Sequence, residues 1–274
     1  MRLFNKRLFL NKGWVVASFL NDYNDLIYVN GLYVAVGDSG VIAYSEDFNT
    51  WETTTVGSGN WKSIAYGNGL YVVVGTAGIV YSSDLETWNT ASVNFGGYNS
   101  IAYGNGKFVA VNGGGNAVSE NGTSFTESFA FAGSLIGFGN GKFLKAEGGG
   151  LQISTDLTTW ENITVGQSLN YYGHIKYLNN RFVVTTGSGQ DGWVVVVNND
   201  KTVTKKKLGV FVLYDSTYLN GMYTIVGANG YVVRTPDFNV YNVNKIRNTN
   251  WKLITTDSQT ITMISDGYKA TNKG

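Results

Sequence analysis

Residues 64–75 read Ile64-Ala-Tyr-Gly-Asn-Gly-Leu-Tyr-Val-Val-Val-Gly75, and this stretch decides the fold. It recurs almost unchanged as Ile101-Ala-Tyr-Gly-Asn-Gly-Lys-Phe-Val-Ala-Val-Asn112, and weaker copies bring the number of units to seven. The turn residues of the copies lie 38, 37, 35, 39, 41 and 38 residues apart, at Gly31, Gly69, Gly106, Gly141, Asn180, Gly221 and Gln259. A period of about 40 residues with several short strands in each unit indicates a β-propeller.

Each unit contains turn signals that divide it into four strands. Gly67-Asn-Gly69 and its equivalents supply the positive-φ residues of a tight hairpin between alternating aromatic and β-branched residues. A second glycine-rich turn, such as Gly75 to Gly78, leads into a third strand. A polar segment then precedes the fourth strand. The sequence therefore predicts an all-β protein, a seven-bladed β-propeller of four-stranded blades.

The polar segment follows the pattern Ser-x-Asp-x-x-x-Trp, as in residues 45–51, 82–88 and 154–160, with weaker copies at 119–125 and 235–241. An Asp at this place can accept hydrogen bonds from main-chain N–H groups two residues on, and the Trp can bury its ring. The segments resemble the Asp-box, or BNR, repeat of sialidase-like propellers, which implies a turn between strands three and four. We predict a structural role for these Asp and Trp residues.

The two ends of the chain predict how the ring closes. Residues 254–265 align without a gap on residues 64–75, and residues 268–272 would form a third strand, after which the chain stops one strand short. The missing strand is found at the other end, where Trp14-Val-Val-Ala-Ser-Phe19 lies at the spacing of a fourth strand before its hairpin. We expect this N-terminal strand to complete the C-terminal blade, which removes an open sheet edge. Residues 13–274 are then a single propeller domain.

Residues 1–12 fall outside the repeats and form an N-terminal arm. The arm mixes basic residues with the apolar residues Leu3, Phe4, Leu8 and Phe9, and its apolar run is too short for a secretory signal or a membrane span. Two interpretations remain open. The arm is either an extra strand packed on the seventh blade or a docking arm that inserts into a partner protein, because apolar side chains in a tail need a surface to cover.

Composition excludes several kinds of function. The 274 residues carry a net charge of +1, which gives no electrostatic signal for nucleic acid or an acidic membrane. The chain contains no cysteine and one histidine, His174, so thiol catalysis, disulfide scaffolds and multi-histidine metal sites are ruled out. We predict no metal and no cofactor, and a structural role for His174. The basic run Lys205 to Lys207 falls on the fourth strand of blade five, where lysines guard a sheet edge.

Enzymatic activity is the first functional hypothesis, because the Asp-box resemblance leads to sialidases and other glycosidases. Such sites need an arginine cluster and two carboxyl groups with different roles. The five arginines of this chain lie at positions that the repeat keeps apart, and Asp38, Glu147, Asp191 and Asp266 lie in equivalent turns of different blades. We therefore predict no catalytic residues, and keep a sialidase-like glycan-active enzyme as the alternative.

Binding is the second hypothesis and the preferred one. Aromatic residues follow the blade-to-blade connections, and three of them, Trp61, Tyr98 and Trp251, fit packing between blades. Blades four and five depart from the repeat with longer loops, and departures of this kind are where function is expected. The predicted ligand- or partner-binding residues are Tyr171, Tyr172, Gln190, Asp191 and Trp193.

The repeats also resemble those of propeller modules in bacteriophage tail and receptor-binding proteins. Similar units occur in photosynthetic assembly factors with seven Asp-box blades, whose cationic patches this nearly neutral chain lacks. The phage resemblance implies a virion structural or host-attachment protein, with other virion proteins as partners and host cell-surface glycan as a second partner class. Localisation in the virion follows, with the bacterial cell surface or secretion as alternatives.

Overall fold

The computed structural model describes residues 14–18, 22–166, 173–188, 191–209, 211–265 and 267–273. These residues form seven antiparallel four-stranded sheets arranged as the blades of a ring. The fold is the predicted seven-bladed β-propeller. A single turn of 3₁₀ helix, Ala228–Gly230, is the one helical segment in the described ranges. The described residues contain no helix that is long and apolar enough to cross a membrane.

Blades one to six each use four consecutive strands, and the seventh uses the last three strands with the first. The strands are β1 (Trp14–Ser18), β2 (Tyr23–Val29), β3 (Leu32–Gly37), β4 (Val41–Ser45), β5 (Glu52–Thr55), β6 (Trp61–Gly67), β7 (Leu70–Gly75), β8 (Gly78–Ser82), β9 (Asn89–Thr90), β10 (Ser100–Gly104), β11 (Lys107–Val111), β12 (Asn116–Ser119), β13 (Thr126–Ser128) and β14 (Leu135–Gly139). The second half contains β15 (Lys142–Glu147), β16 (Gly150–Ser154), β17 (Glu161–Ile163), β18 (Ile175–Leu178), β19 (Arg181–Ser188), β20 (Asp191–Asn198), β21 (Val203–Gly209), β22 (Leu213–Leu219), β23 (Met222–Gly227), β24 (Tyr231–Thr235), β25 (Asn242–Lys245), β26 (Trp251–Thr256), β27 (Thr260–Ser265) and β28 (Tyr268–Lys273).

The first hairpin of a blade is closed by two residues with positive φ. In blade two these are Asn68 at 49° and Gly69 at 78°, the conformation that a two-residue hairpin needs. The seventh hairpin lacks the Asn-Gly pair and closes differently: Oδ1 of Asp257 accepts the N–H groups of Gln259 at 2.7 Å and Thr260 at 2.6 Å.

Ring closure uses both ends of the described chain, as the sequence predicts. Strand β1 pairs antiparallel with β28, from Trp14 opposite Asn272 to Ser18 opposite Tyr268. The order of the closing sheet is β1-β28-β27-β26, so the N-terminal strand is the outer strand of a blade begun by the C-terminal segment. The predicted arm residues Leu3, Phe4, Leu8 and Phe9 lie outside the described residues.

The Asp boxes form the turns between strands three and four of their blades. In blade one, Oδ1 of Asp47 accepts the N–H groups of Asn49 at 2.7 Å and Thr50 at 2.8 Å. These main-chain hydrogen bonds lower the pKa of Asp47. Asn121 takes the same place in blade three and accepts the N–H groups of Thr123 and Ser124. The boxes are therefore turn-closing devices.

The core lies between the blades. One cluster combines Val34 and Val36 of blade one with Trp61, Ile64 and Val73 of blade two. The predicted packing residues Trp61, Tyr98 and Trp251 are all buried. Glycines on the inner strands let neighbouring blades approach, since a Cβ atom on Gly104 would lie 2.0 Å from Cγ of Phe138. Neighbouring blades pack closely because aromatic rings lie against glycines, which have no side chain.

The basic run Lys205 to Lys207 lies on β21, the outer strand of blade five. Each lysine has its own neighbour: Lys205 lies over the ring of Trp193 at 5.4 Å, Lys206 over that of Tyr241 at 5.9 Å, and Lys207 pairs with Asp191. Three cations on an outer strand oppose pairing with a second sheet.

Candidate functional site

The inner strands of the seven blades surround a central channel. They begin at the face that carries the blade-to-blade connections and the turns between second and third strands, here called the upper face. The opposite, lower face carries the first hairpins and the Asp boxes. Near the upper end of the channel, one register position is filled by Asp25, Ser63, Ser100, Leu135, His174, Asp215 and Leu253 in successive blades.

Asp25 joins blade one to blade two at this level. A bulge separates it from Tyr23, and its side chain turns toward the next blade. Oδ1 accepts the N–H of Leu26 at 2.8 Å, while Oδ2 accepts the Ser63 hydroxyl at 2.9 Å and the N–H of Ile64 at 3.0 Å. The carboxylate is 6% exposed and well supplied with donors.

Asp215 repeats this arrangement between blades six and seven. Its carboxylate accepts the N–H groups of Ser216 at 2.7 Å and Ile254 at 2.9 Å. Lys176 of blade five adds a cation, with its Nζ 2.7 Å from Oδ1 of Asp215 and 3.0 Å from the carbonyl oxygen of Ile254. Three blades thus meet at one ion pair.

His174 lies between the two carboxylates. Its Nε2 is 3.5 Å from Oδ1 of Asp25, and its Nδ1 is 3.7 Å from Oδ1 of Asp215 and 3.3 Å from the carbonyl oxygen of Tyr214. A doubly protonated ring can donate toward both sides. We name Asp25, His174, Lys176 and Asp215 the channel cluster.

Neighbouring charges and hydrogen bonds shift the pKa values of His174 and Asp25. Burial opposes a positive charge on His174, but the charge of Asp215 and the hydrogen bond and charge of Asp25 outweigh it and raise the pKa of His174. Burial likewise opposes ionisation of Asp25, yet His174 and the N–H of Ile64 lower the pKa of that carboxyl group. When His174 is protonated, the cluster holds two carboxylates and two cations.

Every carboxylate oxygen of the channel cluster is occupied by N–H, O–H or cationic donors, and several of these contacts join different blades. The described residues contain no group of three or more His, Cys, Asp or Glu that could hold a metal ion. Sequence reasoning gave His174 a structural role but missed Asp25, Lys176 and Asp215. The sequence does indicate the cluster when the seven units are aligned. The same position near the start of each inner strand holds two Asp and one His, and otherwise Ser or Leu.

A polar pocket of about 300 Å³ opens at the upper mouth of the channel, above His174. Its wall on the side of blades one to three carries Asn24, Asp38, Asn60, Lys62 and Asn99. Asn24 donates to Oδ1 of Asp38 at 2.8 Å, and Nζ of Lys62 donates to Oδ1 of Asn99 at 2.9 Å. Within the described ranges Lys62 has no carboxylate partner.

Two phenylalanines form an aromatic pair on the same face. Phe95 follows blade two and Phe129 follows blade three, and their ring centroids are 4.7 Å apart at an interplanar angle of 36°. Phe129 is 78% exposed, the largest exposure among the large apolar side chains of the described residues. Both rings lie against Gly115, where a Cβ atom would come within 3.0 Å of Phe95 and 3.5 Å of Phe129. We name Phe95 and Phe129 the aromatic pair.

Glu127 fixes the loop that carries Phe95. Its carboxylate accepts the N–H groups of Asn94 at 2.5 Å and Phe95 at 2.7 Å and the hydroxyl of Tyr98 at 2.5 Å. Burial of Tyr98 and its hydrogen bond to Glu127 raise the pKa of that phenol, so it stays a donor at neutral pH. These hydrogen bonds hold the loop in place.

Of the five predicted binding residues, Tyr171, Tyr172 and Gln190 lie outside the described residues. Asp191 and Trp193 lie on β20 of blade five, where β19 and β20 form a long hairpin. Asp191 pairs with Lys207, while Trp193 packs partly buried against the core between blades four and five under Lys205.

The other carboxylates predicted around the channel are dispersed. Asp38 lies in the mouth pocket, Asp191 pairs with Lys207, and Asp266 lies outside the described residues. Glu147 forms an ion pair with Lys145, a buried lysine in a position that other blades fill with apolar residues. The Lys145 ammonium also donates to the carbonyl oxygen of Ala132 at 2.7 Å and lies 5.1 Å from the ring of Trp160.

The described arginines lie on different elements. Arg181 begins β19, Arg234 lies on β24, and Arg247 follows β25 with its guanidinium 3.6 Å from the ring centroid of Tyr268.

Comparison with known proteins gives the fold but no family. No family model matches the chain, and no curated protein matches its sequence. Among solved structures, YCF48 bound to D1 peptide is similar with a TM-score of 0.75 and 13% identity over 96% of both chains. A streptogramin B lyase is similar with a TM-score of 0.78 and 10% identity over 96% of this chain and 98% of that chain. The WD40 propeller domain of Doa1 is similar with a TM-score of 0.69 and 16% identity over 93% of this chain and 94% of that chain. At such identities the likeness shows a β-propeller and nothing further.

Proposed function

We propose that this chain is a non-enzymatic interaction module that presents the upper face of a propeller to a partner protein. The observation that carries the proposal is the aromatic pair, because Phe129 is 78% exposed beside Phe95, whose loop is held by Glu127. Exposed aromatic side chains held in place by their surroundings are frequent anchors of protein interfaces.

The channel cluster supports the non-enzymatic part of the proposal. A general acid or base needs a free carboxyl or imidazole group within reach of a substrate. Asp25 and Asp215 are instead buried and engaged by main-chain donors, and His174 is held between them. The same cluster stiffens the platform, which favours binding with little reorganisation.

The finer proposal is a bacteriophage virion component, either a structural or a host-attachment protein. It is supported by the resemblance of the repeats to those of phage tail and receptor-binding proteins. In this proposal the arm, with Leu3, Phe4, Leu8 and Phe9, docks into another virion protein, and a propeller face meets a partner protein or host glycan. Weak contacts of one copy gain strength when many copies act together. The bacterial surface and secretion remain the alternatives for localisation.

One solved neighbour adds support for a peptide-sized partner. The propeller YCF48, which is similar in fold over 96% of this chain, has been solved with a bound D1 peptide. A propeller of similar fold is therefore known with a peptide bound. For the present chain this remains part of the proposal.

Cryo-electron microscopy of the native particle from which the chain is purified tests the proposal. We expect the propeller as an ordered component, with residues 1–12 against a neighbouring protein and one propeller face free or on a partner. A free chain with no partner in any native preparation contradicts the proposal. In parallel, hydrolysis of a panel of sialosides and other glycosides by the purified chain would establish the enzyme alternative instead.

A further inference from the structure

We infer that the aromatic pair and Lys62 together form a docking site for an extended peptide that carries an apolar side chain close to a carboxylate. The inference rests on the proposed interaction function and names the surface and the chemistry of the partner. It uses neither the arm nor the predicted residues of blades four and five.

The aromatic pair supplies the anchor. The Phe129 ring is 78% exposed, and its partner Phe95 is half-buried, so an apolar side chain laid on them removes exposed ring surface from water. Both rings contact Gly115, which has no side chain, and Glu127 holds the loop of Phe95 through two main-chain hydrogen bonds. Little side-chain or loop freedom is then lost on binding.

Lys62 supplies the charge. Its ammonium group donates to the amide oxygen of Asn99 and has no carboxylate partner in the described ranges, unlike Lys176 deeper in the channel. An ammonium with donors to spare at a pocket rim favours an anionic group of the partner. The neighbouring Asn60 and Asn99 side chains are both exposed and can pair with main-chain amides.

The spacing follows from the chain itself. Asn99, which contacts Lys62, is four residues after Phe95 in the same connection between β9 and β10. Four residues span at most about 14 Å. This is an upper limit on the main-chain separation of Phe95 and Asn99, so an extended peptide of about five residues can reach from the aromatic pair to the Asn99 side of the pocket. The apolar residue and the carboxylate of the partner are expected within such a segment. A basic group would meet Lys62 unfavourably, while the Asp38 carboxylate in the same pocket wall already accepts a hydrogen bond from Asn24.

The experiment is a selection of random linear peptides displayed on a library, with the full chain as bait, followed by affinity measurement of the strongest synthetic peptides. Four variants are compared with the parent: Phe129→Ala, Lys62→Glu and two matched controls on the lower face. Val240→Ala removes an apolar side chain that is 70% exposed in the Asp-box turn of blade six. Lys142→Glu reverses a lysine on the lower-face hairpin of blade four. Thermal unfolding checks that each variant is folded.

We expect selected peptides to combine an aromatic or aliphatic residue with Asp or Glu within about five positions. Phe129→Ala and Lys62→Glu should each weaken binding about tenfold or more, with the Lys62 effect reduced at high salt, while both controls bind like the parent. Peptides that bind Phe129→Ala as well as the parent, or that are basic, overturn the assignment.

Failure of this inference and failure of the proposed function are distinguishable. If no peptide is selected but immobilised glycans bind the parent and lose binding in Phe129→Ala, the surface takes saccharide and the peptide inference is overturned. If the native particle shows a partner on another face, this site is wrong while the interaction module stands. If the chain has no partner in native preparations, both this inference and the proposed interaction function are contradicted.

Discussion

Nε2 of His174 lies 3.5 Å from Oδ1 of Asp25, although the two residues belong to blades five and one, which are not neighbours in the ring. The imidazole also faces Asp215 of blade six, and Lys176 links that carboxylate to blade seven. The channel cluster therefore ties together blades five, six, seven and one. This is the sector in which the two ends of the chain meet.

The first prediction concerns pH. Because the folded protein raises the pKa of His174 above its ordinary 6.5, the stabilisation is fully present below about 6.5 and is lost as pH rises through the folded pKa. Because the pKa of Asp25 is lowered from 3.8, its contribution is present above about 3.8 and is lost as pH falls through the folded pKa. We therefore expect the difference in thermal stability between the parent and His174→Gln to be largest between about pH 3.8 and pH 6.5. A stability gap that does not narrow toward alkaline pH contradicts this account.

The second prediction concerns Lys176. Its replacement by Met leaves the buried Asp215 carboxylate without its ammonium partner, and loss of one partner of a buried pair costs about 3 to 5 kcal/mol. We expect a reduction of that order in the free energy of unfolding, measured in urea. Lys62→Met is the matched control, since Lys62 bonds only to an exposed amide in the described ranges, and should change stability little.

The third prediction concerns the approach of blades three and four. A Cβ atom on Gly104 would lie 2.0 Å from Cγ of Phe138, so Gly104→Ala must displace the ring. We expect a loss of about 1 to 3 kcal/mol in unfolding free energy, typical of overpacking. Gly113→Ala meets nothing within 4 Å and serves as control. Equal stability of the two variants would mean that the blades can separate without cost.

The fourth prediction concerns the Asp boxes. Asp47→Ala removes the acceptor of two main-chain N–H groups, whereas Asp47→Asn keeps an amide oxygen in the same place, as Asn121 does in blade three. We expect Ala to lower Tm by about 2 to 4 °C and Asn to lower it less. If Asn and Ala prove equally damaging by scanning calorimetry, the carboxylate charge matters more than the hydrogen bonds.

The fifth prediction concerns ring closure. Deletion of residues 1–18 removes β1 and exposes the edge of β28. We expect a less stable chain that self-associates, measured by size-exclusion chromatography with light scattering, because an unpaired edge strand invites pairing. Deletion of residues 1–12 leaves β1 in place and is the control. Retention of a monodisperse, fully stable species after the longer deletion argues against closure by β1.

Sequence reasoning reached the ring, its blades and its closure because these depend on local signals repeated along the chain. The Asn68-Gly69 turn and the Ser45 to Trp51 box each act within a few residues. The channel cluster was missed because Asp25 and His174 meet only when the ring is closed, and the aligned repeat position that carries them has to be compared across all seven blades to reveal it. The aromatic pair was missed for the same reason: Phe95 and Phe129 belong to connections of different blades and come together over Gly115.

The pairing of Trp14 with Asn272 also determines when the protein can finish folding. During synthesis β1 leaves the ribosome before the other 27 described strands and its partner β28 leaves after them, so β1 must wait unpaired while six blades assemble. Contacts between distant parts of a chain form slowly because the entropic cost of closing the loop is incurred before the contacts contribute favourable free energy. A chain that has not yet reached β28 therefore keeps an open seventh blade, and the ring can close only after that strand has been made.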